Sequence, residues 1–186
     1  MKGFSRNYPQ IALCGLNCLL CPMNLGNYCP GCGGGDGNQG CPRARCARDR
    51  GISDFCFRCD QYPCQQYEGI QDYDTFVPTV RIQADLERLQ TIGIEDYVRE
   101  LQEKREILDD LLCHWNDGRR KSFYSVAVYL MGLEDLRRIV DSAKQNIPSS
   151  APVRERAVQM AERLQQAARQ QKLMLKLRKK KKVESE

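Results

Sequence analysis

Cys14-Gly15-Leu16-Asn17-Cys18-Leu19-Leu20-Cys21-Pro22 opens a run of ten cysteines that ends at Cys64, and the reading of those thiols decides the fold of the first third of the chain. The run continues through Cys29-Pro30-Gly31-Cys32, Cys41 and Cys46 to Cys56-Phe57-Arg58-Cys59 and Cys64, while the eleventh cysteine, Cys113, stands apart. Around them lie many glycines and prolines, with Gly31 to Gly40 composed as a flexible loop. Large apolar residues are too few here for a hydrophobic core of usual size. A small region of this kind needs staples, and ligated metal would supply them.

The choice between disulfides and metal rests on compartment. Residues 1–15 are too polar for the apolar core of a secretory signal, and Leu13 rather than a small residue precedes Cys14. No stretch reaches the roughly 20 apolar residues of a membrane-spanning helix. The expected location is therefore the cytoplasm, where thiols stay reduced and close spacing points to metal ligands. Cys29/Cys32 and Cys56/Cys59 each have two intervening residues, which lets both thiolates of a pair converge on one ion. The candidate metal ligands are Cys14, Cys18, Cys21, Cys29, Cys32, Cys41, Cys46, Cys56, Cys59 and Cys64, and the expected metal is zinc, as two ions. Eight sulfurs satisfy two four-thiolate sites, so two cysteines are surplus. The formal charge of +5 then falls to +1, because each zinc with four thiolates carries −2.

Cys29-Pro30-Gly31-Cys32-Gly33 has the form of a zinc knuckle, with Cys56/Cys59 as the candidate second pair. The alternative is a [4Fe-4S] cluster and a role in electron transfer or redox sensing. Cys21-Pro22 resembles the end of ferredoxin-type runs, but a fourth ligand would have to come from farther along, such as Cys41, Cys46 or Cys64. Cys14, Cys18 and Cys21 also have the spacing of radical S-adenosylmethionine enzymes. That reading fails because more cysteines and then helices follow, not the alternating strands and helices of a barrel. Cys113 is expected in a helical core, and His114, the only histidine, at a solvent-facing helix end.

Beyond residue 70 the texture is helical. Pro78 is placed to open a helix carrying Ile82, Leu86 and Leu89, closed by Gly93. Ile94, Tyr97, Val98, Leu101, Leu108, Leu111, Leu112 and Trp115 recur at helical spacing, with Glu95 and Asp96 in the first turn. Residues 123–131 are nearly continuously apolar and are read as a buried helix. Leu133, Leu136, Ile139, Val140 and Ala143 mark another. A last helix starts near Pro152 with Val153, Ala157, Met160, Leu164 and Ala168 on one stripe. The expected fold is a small metal-stabilised cysteine-rich N-terminal region (residues 1–70) packed on a mostly α helical bundle (71–150). A long helix with a basic tail (151–186) follows, and few or no strands are expected.

Two basic features bear on partners. Arg119, Arg120 and Lys121 precede the apolar helix, where helix-start N–H groups could hold an anion; the plainer expectation is a solvated loop with Ser122 as the helix cap. The tail carries Arg178, Lys179, Lys180, Lys181 and Lys182 among apolar residues; a basic helix in weak contact with nucleic acid or an anionic surface and a frayed, solubilising terminus are equally compatible with it. No zinc-protease histidine pair, phosphate loop or catalytic triad occurs, so no catalytic residue is assigned. The expectation is a metal-binding module acting as a binding or adaptor protein.

The cysteine series also resembles a prokaryotic family described as domain of unknown function 3795. The resemblance rests on Cys14-Gly15-Leu16-Asn17-Cys18 with Cys21, on Cys29-Pro30-Gly31-Cys32, on residues 46–52, on Phe55 to Cys59, and on Tyr62-Pro63-Cys64. It continues at residues 92–96 and 117–124 and spans roughly residues 10 to 145. It implies a cysteine-rich, metal-binding fold and supplies no catalytic residue. Where members of that family often carry cysteine after Phe123-Tyr124, this chain has Ser125, so the resemblance brings no ligand to that helix.

Overall fold

The structure, a computed structural model, describes residues 4–37 and 40–180. Among the described residues seven α-helices follow in order: α1 (Pro22–Leu25), α2 (Pro42–Asp49), α3 (Ile82–Ile92), α4 (Ile94–His114), α5 (Lys121–Leu130), α6 (Leu133–Asn146) and α7 (Val153–Gln170). Short 3-10 turns cover Cys18–Leu20, Cys56–Arg58 and Gln65–Tyr67. Among the described residues there is no strand, only two isolated bridges, Ser5 with Gly34 and Ile11 with Asn17. Among the described residues no helix is long and apolar enough to cross a membrane.

The chain divides into two compact units, and the division falls inside α4. The described residues up to Val98, together with those from Leu177, make the first; Arg99–Lys176 make the second.

In the first unit the cysteine-bearing loops enclose a small core. Phe4, Leu13, Ala44 and Ala47 form its buried centre, and Cys32, Cys41, Ile52 and Cys56 pack against them. Part of the apolar filling is therefore sulfur, as expected where large aliphatic residues are scarce. Helix α3 buries Ile82, Leu86 and Leu89 at helical spacing and ends at Gly93, whose φ of +87° suits glycine. Pro78 does not open it. Thr79 directs its N–H (2.8 Å) and hydroxyl (3.0 Å) to Asp74 Oδ1, which closes residues 74–79 into a loop, and the helix starts three residues later.

The second unit is built from the amphipathic helices read in the sequence. Residues 124–130 of α5 are buried throughout, and Leu101, Leu108, Leu111, Leu136, Val140, Met160 and Leu164 join them in its core. The Tyr124 hydroxyl donates to the carbonyls of Trp115 (2.7 Å) and Ala157 (3.3 Å), so a phenol in the core keeps its hydrogen bonds. Two details depart from the sequence reading. Val153, placed on the buried stripe, is exposed because it sits in the first turn of α7. Ser122 is not the helix cap: Arg120 precedes the first helical residue, Lys121.

The basic tail is not a continued helix. At Lys172 φ turns to +56°, and Leu173 N–H bonds back to the Ala168 carbonyl (2.8 Å) while Lys172 N–H bonds to that of Arg169 (3.1 Å). This paired closure is a helix stop, with lysine where glycine is usual.

Candidate functional site

Local sequence explains how the thiols are presented. In Cys21-Pro22 and Cys41-Pro42 the proline occupies the first helical position, where its missing N–H costs nothing, and the cysteine becomes the cap. Cys41 Sγ accepts from Ala44 N–H at 3.3 Å, a role in which serine or aspartate is usual. Two of the three cysteine pairs with two intervening residues, 18–21 and 56–59, share one construction: a 3-10 turn in which the second cysteine N–H bonds the first carbonyl at 3.0 Å. At Cys29-Pro30-Gly31-Cys32 the turn needs glycine. Gly31 has φ +94°, and a Cβ there would stand 2.2 Å from the Pro9 carbonyl oxygen.

All ten cysteines of the run, and Cys113, carry free thiols. Cys14 faces Cys32 and Cys41, Cys18 faces Cys32, Cys14 and Cys21, and Cys21 faces Cys29. Cys46, Cys56, Cys59 and Cys64 line one cavity together. Of the expected partnership of Cys29/Cys32 with Cys56/Cys59, Cys32 lies near Cys56, while Cys29 faces Cys21 and Cys59 lines the cavity with Cys46 and Cys64. The backbone between the cysteines decides this. Leu13 accepts from Cys56 N–H and Pro9 from Cys32 N–H, which draws both pairs toward the N-terminal segment from different directions.

Electrostatics around the sulfurs has two opposed parts. Burial pushes the Cys14 thiol up to about 12 and raises Cys18, Cys21, Cys32 and Cys56 as well. Against this, backbone N–H groups turn onto the sulfurs: Leu16 onto Cys14, Cys32 onto Cys18, Met23 and Asn24 onto Cys21, Leu13 onto Cys32. Guanidinium groups add to them. Arg43 faces Cys14 and Cys56, and Arg50 hydrogen-bonds Cys46 and faces Cys59. Burial thus favours the neutral thiol at Cys14, Cys18, Cys21, Cys32 and Cys56, while donors stand ready for the thiolates. Among the described residues no group of three or more His, Cys, Asp or Glu side chains is arranged so as to hold a metal ion.

Three features escaped the sequence reading. Arg6 is only 7% exposed, and its guanidinium donates to the carbonyls of Ile11 (2.7 Å), Cys32 (3.0 Å), Ser53 (3.2 Å) and Asp54 (2.5 Å). It also touches the Cys32 sulfur and lies 5.2 Å from the Phe55 ring centre. Asn17, within the opening cysteine motif, donates to Asp85 Oδ2 (3.0 Å) and accepts from the Tyr97 hydroxyl (3.1 Å), which ties the first cysteine loop to α3 and the start of α4. Tyr67 is buried beside Cys56. No sequence signal marks Arg6 or Tyr67, because each is defined by segments distant in the chain.

The remaining candidates fall elsewhere. Cys113 is exposed rather than in the core, since it lies on the outer face of the last turn of α4. His114 is exposed as expected and pairs with Asp110 at 3.0 Å. At the start of α5 the N–H groups of Gly118, Arg119 and Arg120 are taken by Asn116 and Asp117, and Arg120 itself lies 3.5 Å from Asp117; Arg119 and Lys121 are exposed. Arg178 is not available as a free cation. It binds Asp74 through its backbone N–H (2.7 Å) and guanidinium (2.8 Å) and also reaches Thr79 (3.0 Å). Lys179 is exposed, Lys180 sits 5.6 Å from the Tyr73 ring centre, and Lys181 and Lys182 lie outside the described residues. Comparison of the chain with protein-family models, curated proteins and solved structures returned no match.

Proposed function

We propose that the first unit is a thiolate metal-binding module holding zinc as two ions, and that the chain acts as a binding or adaptor protein. One observation carries this reading: ten unbridged thiols are gathered in one unit with backbone N–H groups and arginines turned onto their sulfurs. Each four-thiolate zinc site has a charge of −2, and donors aimed at sulfur are what such a site requires from its surroundings. Arg6, a buried cation whose described partners are carbonyls and a cysteine rather than a carboxylate, fits the same requirement. The residues suit zinc because sulfur is the donor throughout and the Cys29-Pro30-Gly31-Cys32 turn has knuckle form. Bound zinc would hold the loops together where the apolar core is small, and its charge would favour the thiolate over the thiol. The resemblance to domain of unknown function 3795 carries the same expectation.

Metal content per chain, measured on protein purified without oxygen and alongside a visible spectrum, tests the proposal. About two zinc ions per chain and a colourless solution are expected. Iron with labile sulfide and a brown colour would replace the zinc reading by that of a [4Fe-4S] electron-transfer or sensor protein.

A further inference from the structure

We infer that Cys46, Cys56, Cys59 and Cys64 form a separate site for a single thiophilic divalent cation, with the Tyr67 hydroxyl as the donor that positions the Cys56 sulfur. The inference rests on the metal-binding reading above and deepens it by dividing the ten cysteines.

The four sulfurs come from three places in the chain: Cys46 from α2, Cys56 and Cys59 from the turn at 56–59, and Cys64 from the residue capping the next turn. They nevertheless line one cavity whose wall includes no histidine, with a carboxylate just outside it, where Asp60 Oδ1 accepts from the Cys59 thiol at 3.5 Å. Such a donor set selects zinc-like ions over magnesium or calcium. A single ion held by four thiolates suits that donor set. The sulfurs surround the cavity without standing in ligating positions around a common point, so binding draws them inward.

Tyr67 supplies an independent sign. It is 8% exposed, and its hydroxyl has no hydrogen bond to any described nitrogen or oxygen. What the hydroxyl does meet is the Cys56 sulfur. A buried hydroxyl without a good acceptor is unfavourable, and a neutral thiol is a poor acceptor. A metal-bound thiolate is a good one. The charges also balance: one divalent ion displaces four protons from four thiols, and the resulting −2 lies beside the cations of Arg43 and Arg50, which border the same cavity.

Cobalt(II) titration of the full chain, after zinc removal under reducing conditions, tests the assignment through the cobalt–thiolate absorption band. Three variants join the wild type: Cys59→Ser/Cys64→Ser, Cys14→Ser/Cys18→Ser, and the latter combined with Tyr67→Phe. The first is expected to lose one metal equivalent and keep the remainder. In the second the Cys46 group still binds, and adding Tyr67→Phe weakens that binding by about 10-fold and shifts the band, as loss of an outer-sphere donor does. Unchanged stoichiometry in Cys59→Ser/Cys64→Ser, or loss of all binding, overturns the division while leaving metal binding in place. Equal affinity with and without the Tyr67 hydroxyl overturns the role given to it. Wild-type protein that takes up no cobalt and carries no native metal overturns the metal-binding reading itself. Should the serine variants fail to fold by circular dichroism, Tyr67→Phe alone decides the matter, since it removes one oxygen.

Discussion

Two residues without charge or nucleophilicity do much to shape the first cysteine loop. Gly15 runs at φ +96° with its α-carbon against α3, so that a Cβ would stand 2.6 Å from Leu86 Cγ and 2.9 Å from the Ile82 carbonyl. Gly15→Ala therefore meets both backbone strain and a clash with helix backbone. A loss of about 1–3 kcal/mol is expected, read as a lower urea midpoint. Asn17 is the polar counterpart, because its amide spans Asp85 and Tyr97 in a buried network. The buried guanidinium of Arg6 works by shape as well as charge, since its planar fork reaches four carbonyls from three segments. An ammonium on a flexible stem cannot reproduce that arrangement. Arg6→Lys is expected to cost about 1–3 kcal/mol despite unchanged charge; wild-type stability in that variant would show the fork to be dispensable.

At the scale of elements, the segment after α7 gains its role from one ion pair. Asp74 is largely enclosed, and burial alone would raise its carboxyl. The Arg178 guanidinium and backbone N–H, with Thr79, outweigh that and lower it from 3.8 to about 2. A carboxyl depressed on folding stabilises the folded state when ionised. Its contribution is complete above pH 3.8 and disappears as pH falls through about 2. The stability difference between wild type and Asp74→Asn should thus be constant near neutrality and shrink between these two pH values. A difference that stays flat across the acid range would remove the ion pair from the account. The same contact alters expectations for the tail. With Arg178 engaged, Lys172, Lys176, Lys179 and Lys180 are exposed cations of the tail, so Arg178→Ala should weaken the protein's stability more than any affinity it has for anions.

For the whole molecule, the two units draw on different sources of stability. Arg99–Lys176 has a core of large aliphatic and aromatic side chains, whereas the first unit fills part of its core with cysteine. If metal supplies the difference, chelation should raise amide hydrogen exchange across residues 4–70 and leave the centres of α5, α6 and α7 protected. Exchange that rises equally in both units would mean that their stabilities are linked. No change on chelation would mean that the N-terminal loops hold without metal.

Much of this was legible in sequence because it depends on neighbours in the chain. Helical periodicity located α4 through α7 to within a few residues, since each helix hides one face at a 3.6-residue repeat. The tight turn with glycine at 31 was legible for the same reason; the Cys-Pro caps and 3-10 turns are equally local, yet they were not read from the sequence. Other features required the folded chain. Which cysteines share a space is set by hydrogen bonds such as Cys56 to Leu13 and Cys32 to Pro9, and no spacing rule encodes them. Lys172 stopped a helix that composition would have continued, Cys113 turned outward although it neighbours apolar residues, and Arg178 found Asp74 over a hundred residues away. The sequence by itself determined the helices and the presence of a clustered thiol chemistry, because periodicity and short spacing act within a few residues. Tertiary structure alone decided how the sulfurs are grouped and which cations are engaged, because burial and charge pairing act between segments that meet only after folding.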